Sequence, residues 1–464
     1  MSPVLAAMLF AIGIAGLFFL DRDQSARTSA ALWIPVIWIW INGSRPVSVW
    51  LQMSTPLDSP DQYLEGSPID RVVFAVLLGL AAIVVLRRGR QVLKLIGPNW
   101  PIVLFFAYCG ASVFWSDFPD VAFKRWTKAV GDLLMLSIVL TEKNVCASVK
   151  RLLNRAAFIL IPLSVLFIKY YPALGRGLRK WVWVPTHTGV TTNKNLLGMI
   201  CLIFGIGSVW RLLAAYYDRT VVNRSRQLLT HASLIAMIIW LLWMANSMTP
   251  LACLVLASGL LAMTTLTAVA RKPAIVHCVV ITTICVACST ILLGSNTTML
   301  QAMGRDSTLT GRTTIWHQLL QMTVNPVLGT GFESFWLGPR LQNLWTIFGR
   351  ELNEAHNGYL EVFLNLGWAG VSLLGIVIVT GYRNVLCALR RDADEGRLRL
   401  AYFVAALVYS FTEAGFRMMD PVWIFFLLSA AKVPQPWTAR EVDQPVIAET
   451  LEHAVRGQER LEAI

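Results

Sequence analysis

Apolar runs recur along the whole chain, near residues 3–20, 30–43, 71–86, 101–116, 129–140, 156–170, 195–214, 229–246, 250–270, 274–294, 357–382, 399–416 and 419–432. A helix that crosses a bilayer core needs about 20 predominantly apolar residues. The pattern therefore predicts an all-α polytopic membrane protein with about 12–13 transmembrane helices. The segment 295–356 is too long and too polar to span, and is expected to be a large extracytoplasmic loop containing short helices. Within it Ile315, Leu319 and Met322 fall at helical spacing over 311–323, with Thr310 as the expected N-cap and Asn325-Pro326 as the stop. The expected organisation is a transmembrane bundle over 1–294, the loop over 295–356, C-terminal transmembrane helices over 357–432 and a cytoplasmic tail over 433–464. Residues 3–20 lack a basic leader and a cleavage motif, so they are read as a retained span, not a signal peptide.

Composition supports this class and excludes others. Of 464 residues, 56% are hydrophobic and 14% charged, against about 25% charged in soluble domains. A soluble enzyme with one anchor, a disordered chain and a secreted disulfide scaffold are ruled out. The 8 cysteines lie mostly in apolar runs, where cysteine acts as a small hydrophobe. Cys285 and Cys288 form a lone C-x-x-C, read as helix packing and not as a metal or redox pair.

The net charge of +13 comes from 40 Lys and Arg against 27 Asp and Glu. In a membrane protein that excess first describes topology, since Lys and Arg collect in cytoplasmic loops. One alternating set of connections holds Arg87, Arg88, Arg90 and Lys94, then Lys143, Lys150, Arg151 and Arg155. It continues with Arg219, Arg224, Arg226, Arg271 and Lys272, then Arg383, Arg390, Arg391, Arg397 and Arg399. That set is expected inside. The stretches 44–70, 117–128, 171–194, 295–356 and 417–420 are then outside, with the N-terminus. No basic stretch accompanies a compact soluble domain, so nucleic acid is not an expected partner.

Three of the outer stretches break the charge rule. Residues 171–194 carry Arg176, Arg179, Lys180 and Lys194 with no acidic residue; 117–128 carry Lys124, Arg125 and Lys128 against Asp117 and Asp120; 295–356 carry Arg305, Arg312, Arg340 and Arg350. An anionic ligand at the outer surface would compensate them, and contacts with lipid headgroups are the alternative. His356 lies where the long polar segment meets an apolar helix. A helix N-terminus disfavours imidazolium, so a neutral ring able to accept a hydroxyl proton is expected; capping the helix is the alternative. The Asp-x-Asp pairs Asp21/Asp23 and Asp392/Asp394 fall in inferred cytoplasmic connections and are read as loop charges.

Several motifs resemble one family. They are Asn325-Pro326-Val327-Leu328-Gly329-Thr330-Gly331-Phe332, His356-Asn357-Gly358-Tyr359-Leu360-Glu361 and Leu366-Gly367-Trp368-Ala369-Gly370. Upstream stand Gly311-Arg312 with Trp316, and Gly189-Val190-Thr191-Thr192-Asn193-Lys194-Asn195-Leu196-Leu197-Gly198. Together they resemble the O-antigen ligase and Wzy-type polymerase family over roughly 120–370, most nearly its exopolysaccharide (succinoglycan-type) polymerase branch. The resemblance implies metal-independent glycosyl transfer, with no cofactor, at the outer face of the bacterial inner membrane. The implied donor is an undecaprenyl-diphosphate-linked glycan. The acceptor is a second lipid-linked repeat unit for a polymerase, or lipid A–core for a ligase. Membrane lipid, a chain-length regulator and a flippase are the other implied partners.

By motif His356 is the expected base and Arg312 the diphosphate-contacting cation. Lys194, Asn195, Arg125, Lys128, Arg176, Arg179, Arg305, Asn357, Tyr359 and Glu361 form the expected substrate-binding set, and no outer carboxylate cluster is expected to hold a metal. A transporter is the competing class. It would place charges along the spans, whereas here Asp132 is nearly the only charge within one.

Overall fold

The computed structural model describes residues 1–21, 28–53, 66–179, 184–218, 223–266, 272–293, 308–322, 325–349 and 352–433. Each apolar run coincides with a helix. In chain order these are α1 (Pro3–Leu20), α2 (Trp33–Asn42), α3 (Pro68–Arg87), α4 (Trp100–Ala111), α5 (Pro119–Leu140), α6 (Val145–Tyr170), α7 (Lys194–Tyr217), α8 (Arg224–Ala245), α9 (Met248–Thr265) and α10 (Pro273–Leu293). The long polar segment adds α11 (Thr308–Gln321) and α12 (Gly338–Phe348). The chain then returns through α13 (Gly358–Arg391), α14 (Ala393–Tyr409) and α15 (Pro421–Ala430). Among the described residues, eight helices are long and apolar enough to cross a membrane, and three shorter apolar ones accompany them. The chain is an all-α, multi-pass membrane protein. Its described strands are one hairpin, β1 (Arg176–Arg179) and β2 (Val184–His187), with Arg176 opposite His187.

Helices at the periphery turn apolar rows outward. On α3 Val72, Val76, Leu80 and Ile83 are all exposed, at the spacing of one helix face. Such rows would cost about 25 cal/mol per Å² in water and cost little against lipid. The interior helices are buried nearly all round: α15 has every residue buried, and its Trp423 and Phe426 stack at 5.5 Å.

Connections sort to two ends in the alternation that the charges require. At one end Arg88 pairs with Glu142 at 2.6 Å, Trp210 donates to Asp394, and the Lys432 amide donates to Asn99. At the other, Ser116 meets Ser334 at 2.7 Å, Thr249 meets Thr412 at 3.0 Å and Arg340 pairs with Asp117. Tyr171 donates to the Pro3 carbonyl, which places the chain start at this second end, with the stretches expected outside.

Three local expectations change. Residues 119–128 are not loop but the first turns of α5: Pro119 at the helix start supplies a helical φ, and no breaker follows the charged residues. The loop helix starts at Thr308, so Thr310 lies inside it and is not its cap. Asp392 and Asp394 are not merely solvated. Asp392 caps α14 through the amides of Asp394 and Glu395, and Asp394 accepts from Trp210. Asp23 and the tail beyond Val433 lie outside the described residues.

The Leu366-Gly367-Trp368 motif marks where α13 breaks. Gly367 has φ 63° and ψ −167°, and a Cβ there would meet the Val327 carbonyl oxygen at 2.2 Å. Only glycine fits such an approach without strain. The freed amides of Trp368 and Ala369 bond the carbonyls of Pro326 and Val327. Gly329, at φ 71°, crowds the Asn365 backbone in the same way. The Asn325–Phe332 turn is thereby docked on the first turns of α13, and Glu333, just after it, meets Arg417.

Candidate functional site

His356 sits two residues before α13, with φ 50°, a left-handed backbone that costs a non-glycine residue ~1–2 kcal/mol. Its neighbours hold it there. The Ala355 amide donates to Glu361 Oε1 at 2.6 Å, and the Ala355 carbonyl accepts from the Trp316 indole at 2.8 Å. Trp316 lies one turn from Arg312 on α11, so the same helix face fixes the backbone of His356 and carries the cation beside it. Ile315 and Leu319 bury that helix against Phe335, Trp336, Leu341 and Leu364.

Around His356 runs a chain of alternating charges. Its Nδ1 lies 3.0 Å from Glu354 Oε1 and 3.2 Å from Glu413 Oε2. Glu413 Oε1 accepts from Arg312 Nη2 at 3.0 Å, and Arg312 Nη1 donates to the Thr412 carbonyl at 2.6 Å. On the other side Arg417 Nη1 lies 4.0 Å from Glu354 Oε2, and its Nη2 donates to Glu333 Oε2 at 3.1 Å. Arg125 donates to the Glu333 carbonyl. Among the described residues, six non-glycines have positive φ. Glu333 and His356 are two of them, and Met419, beside Arg417, is a third. Such strain collects where surrounding contacts over-determine the backbone, commonly at functional sites.

The electrostatics correct one expectation. A neutral His356 follows from the helix N-terminus alone. Burial also opposes its charge, but hydrogen bonds and attraction from Glu354 and Glu413 outweigh both, and its pKa is raised to about 9. Two full negative charges at about 3 Å exceed the half charge of a helix end. Burial would raise Glu354, but His356, then Arg417 and Arg312, draw it down to about 2. Burial likewise opposes ionisation of Glu333, and Arg417 and Arg125 hold it below the usual carboxylate range. At neutral pH the set is a network of ions, with imidazolium at its centre.

The structure distributes the expected site residues unevenly. Arg312, His356 and Arg125 come together. Lys128 lies one turn deeper on α5, 5.2 Å from the Phe74 ring centre. Lys194 opens α7 behind the Asn193 cap, with Asn195 next to it, at the same end of the bundle. Arg176 turns to the Ile168 carbonyl, and Arg179 pairs with Val184 in the hairpin. Arg305 lies outside the described residues.

Asn357, Tyr359 and Glu361, expected to bind substrate, have their polar groups engaged by the scaffold. Asn357 caps α13 by accepting from the amides of Tyr359 and Leu360. The Tyr359 hydroxyl donates to Leu407. Glu361 is 2% exposed, and its two oxygens hold the Trp336 indole and the Ala355 amide. It steadies His356 from below.

Glu333, Glu413 and Arg417 are the residues that sequence reasoning missed. A signal existed: Glu413, Arg417 and Asp420 are three ionisable residues on one short turn between apolar helices, a density that needs partners. An outer carboxylate cluster also exists, against expectation. One ligand atom each from Glu354, His356 and Glu413 lies within 4.8 Å of the others. Arg312 already pairs with Glu413, and Arg417 stands beside Glu354, so a metal ion would compete with guanidinium for those oxygens.

Comparison with known proteins bears on the same region. Residues 196–375 match the family model described as O-Antigen ligase. The matched span contains Arg312, Glu333, Glu354 and His356. The chain is also 25% identical, over 332 residues, to the exopolysaccharide production protein ExoQ of Rhizobium meliloti (strain 1021), covering 66% of this chain and 70% of that protein.

Proposed function

We propose, from the premise that this multi-pass membrane chain carries an O-antigen ligase family domain, that it polymerises undecaprenyl-diphosphate-linked oligosaccharide repeat units. Transfer takes place at the outer face of the bacterial inner membrane, the end opposite the Arg- and Lys-rich connections. The observation that carries the reading is the arrangement at His356. Its Nδ1 faces two carboxylates, which fix the proton on that nitrogen and leave Nε2 as the atom that can take another. Arg312 stands beside it through Glu413.

In the reaction the acceptor hydroxyl oxygen attacks C1 of the donor sugar. The C1–O bond to the diphosphate breaks, and its electron pair leaves with the lipid diphosphate. The hydroxyl proton passes to Nε2 of His356. Arg312 meets the charge that grows on the leaving group, where a fixed donor counts most. No step calls for a divalent metal, because guanidinium supplies the positive charge. Turnover on a lipid-linked donor is therefore expected to persist in excess EDTA; loss on chelation, restored by magnesium or manganese, would overturn this part of the mechanism.

Similarity to a protein named for exopolysaccharide production favours polymerisation. The family's own description, O-Antigen ligase, favours ligation instead, which shares every step except the acceptor. A carrier of lipid-linked glycans is disfavoured, because His356, Arg312 and their charged partners lie together at the outer end of the bundle and not along a path through it. The glycans of a deletion strain decide among the three. Polymerisation predicts single repeat units in place of long chains. Long chains stranded on the lipid carrier would instead assign the ligase.

A further inference from the structure

Arg417 is a cation that this scheme does not use. It sits on the turn between α14 and α15, and its side chain is 29% exposed while Glu333 beneath it is 6% exposed. In space the order is Arg312, Glu413, His356, Glu354, Arg417. Each guanidinium is thus separated from the imidazole by one carboxylate, at 3.0 and 3.2 Å on one side and at 3.0 and 4.0 Å on the other. Arg417 Nη2 is bonded to Glu333, but Nη1 stays 4.0 Å from Glu354, beyond hydrogen-bond reach. A guanidinium carries five N–H donors in a planar fork, so Arg417 keeps donors for a ligand entering from the exposed side.

The turn that carries Arg417 is pinned from inside the bundle. Asp132 is buried in α5, at 1% exposure. Its Oδ2 accepts from the Met419 amide at 2.8 Å, and its Oδ1 from the Trp38 indole at 2.9 Å. Met419 has φ 63°, a conformation that needs such an external hold. A buried carboxylate within a span is costly unless its oxygens are bonded, and here both are bonded, one of them to the backbone of the Arg417 turn.

We infer that Arg417 is a second diphosphate contact, straddling His356 with Arg312 so that each guanidinium takes one phosphate group, and that Asp132 is the positioning residue that keeps it there. A diphosphate offers two adjacent phosphate groups, and one arginine can hold only one of them bidentately, so a second guanidinium on the other side of His356 has a phosphate left to take. Glu333 and Glu354 hold Arg417 at the rim until the anion arrives. The inference rests on the donor being a lipid-linked diphosphate, as proposed above.

The test compares undecaprenyl diphosphate with undecaprenyl monophosphate as inhibitors of transfer by the purified full-length protein. Arg417→Ala is expected to weaken inhibition by the diphosphate about ten- to hundredfold, the range for one charge-assisted contact. Inhibition by the monophosphate should change less than about threefold on the same scale, so the preference between the two lipids collapses. Asp132→Asn should move that preference in the same direction, and combining it with Arg417→Ala should add little, since the two act through one contact. An unchanged preference in Arg417→Ala overturns the inference, even if Arg312→Ala is inactive. Should Arg417→Ala fail to accumulate in the membrane, Arg417→Gln, which keeps the length without the charge, carries the same test. If neither lipid inhibits the unmodified protein while it still transfers glycan, the donor class itself is wrong, and this inference falls with it.

Discussion

Replacing His356 by Ala is expected to slow transfer by about 10²–10⁴-fold, the span usual for a lost general base. His356→Gln should be nearly as poor. Glutamine can donate a hydrogen bond to Glu354 or Glu413, but it cannot take the hydroxyl proton. The pH dependence separates this role from that of a fixed cation. With its pKa raised to about 9, the ring is protonated at neutral pH, and only about one molecule in a hundred presents a free Nε2 lone pair at pH 7. The rate should then climb about tenfold per pH unit from 6 to 8 and level off near 9. The sign is the ordinary one for a base, but the window lies well above that of an unperturbed histidine, near 9 in place of about 6.5. The two carboxylates that depopulate the neutral ring also make it a stronger base. A profile that is flat to pH 8 and falls above 9 would reassign His356 as an imidazolium that donates to the diphosphate. Near-normal turnover in His356→Gln would leave it a positioning group.

Arg312→Ala is expected to lose about a hundredfold in rate, since one transition-state charge contact contributes on the order of 3 kcal/mol. Arg312→Lys should recover little of this. The wild-type side chain bonds the Thr412 carbonyl with one nitrogen and Glu413 with the other, and a lysine ammonium cannot reproduce that planar fork. The loss should appear in kcat as well as in KM, because the charge on the diphosphate is greatest as the C1–O bond breaks. Glu413→Gln is the control. It removes the partner charge but leaves the guanidinium in place, so it should impair transfer less than Arg312→Ala. Full activity in a normally expressed Arg312→Ala protein would reduce Arg312 to a brace between α11 and the turn after α14.

Parts of this site were visible along the chain. Arg312 and His356 stood out because they lie in motifs that resemble a known family; Arg312 also interrupts the charge rule, and His356 stands where a polar segment meets an apolar helix. Arg125 stood out for its charge alone, although the turns that hold it are helix and not loop. Charged residues at the head of α5 depress local hydropathy without breaking the helix, so the reading misplaced its start. Glu361 was visible as part of a motif, but its burial beneath Ala355 gives it a supporting part that spacing cannot reveal.

Hydropathy and charge act residue by residue. The amino-acid sequence alone therefore determined the helical spans, their alternation between two ends and the presence of cations in the outer stretches against the charge rule. What the cations do depends on distances between residues far apart in the chain. Arg312 and Glu413 are 101 positions apart, and Arg417 and Glu333 are 84. Coulomb attraction falls with distance and desolvation depends on burial. Neither has a value until α11, the Asn325–Phe332 turn and the turn between α14 and α15 close around the start of α13. That closure decided the partners of every charge at the site, and with them the proton on His356.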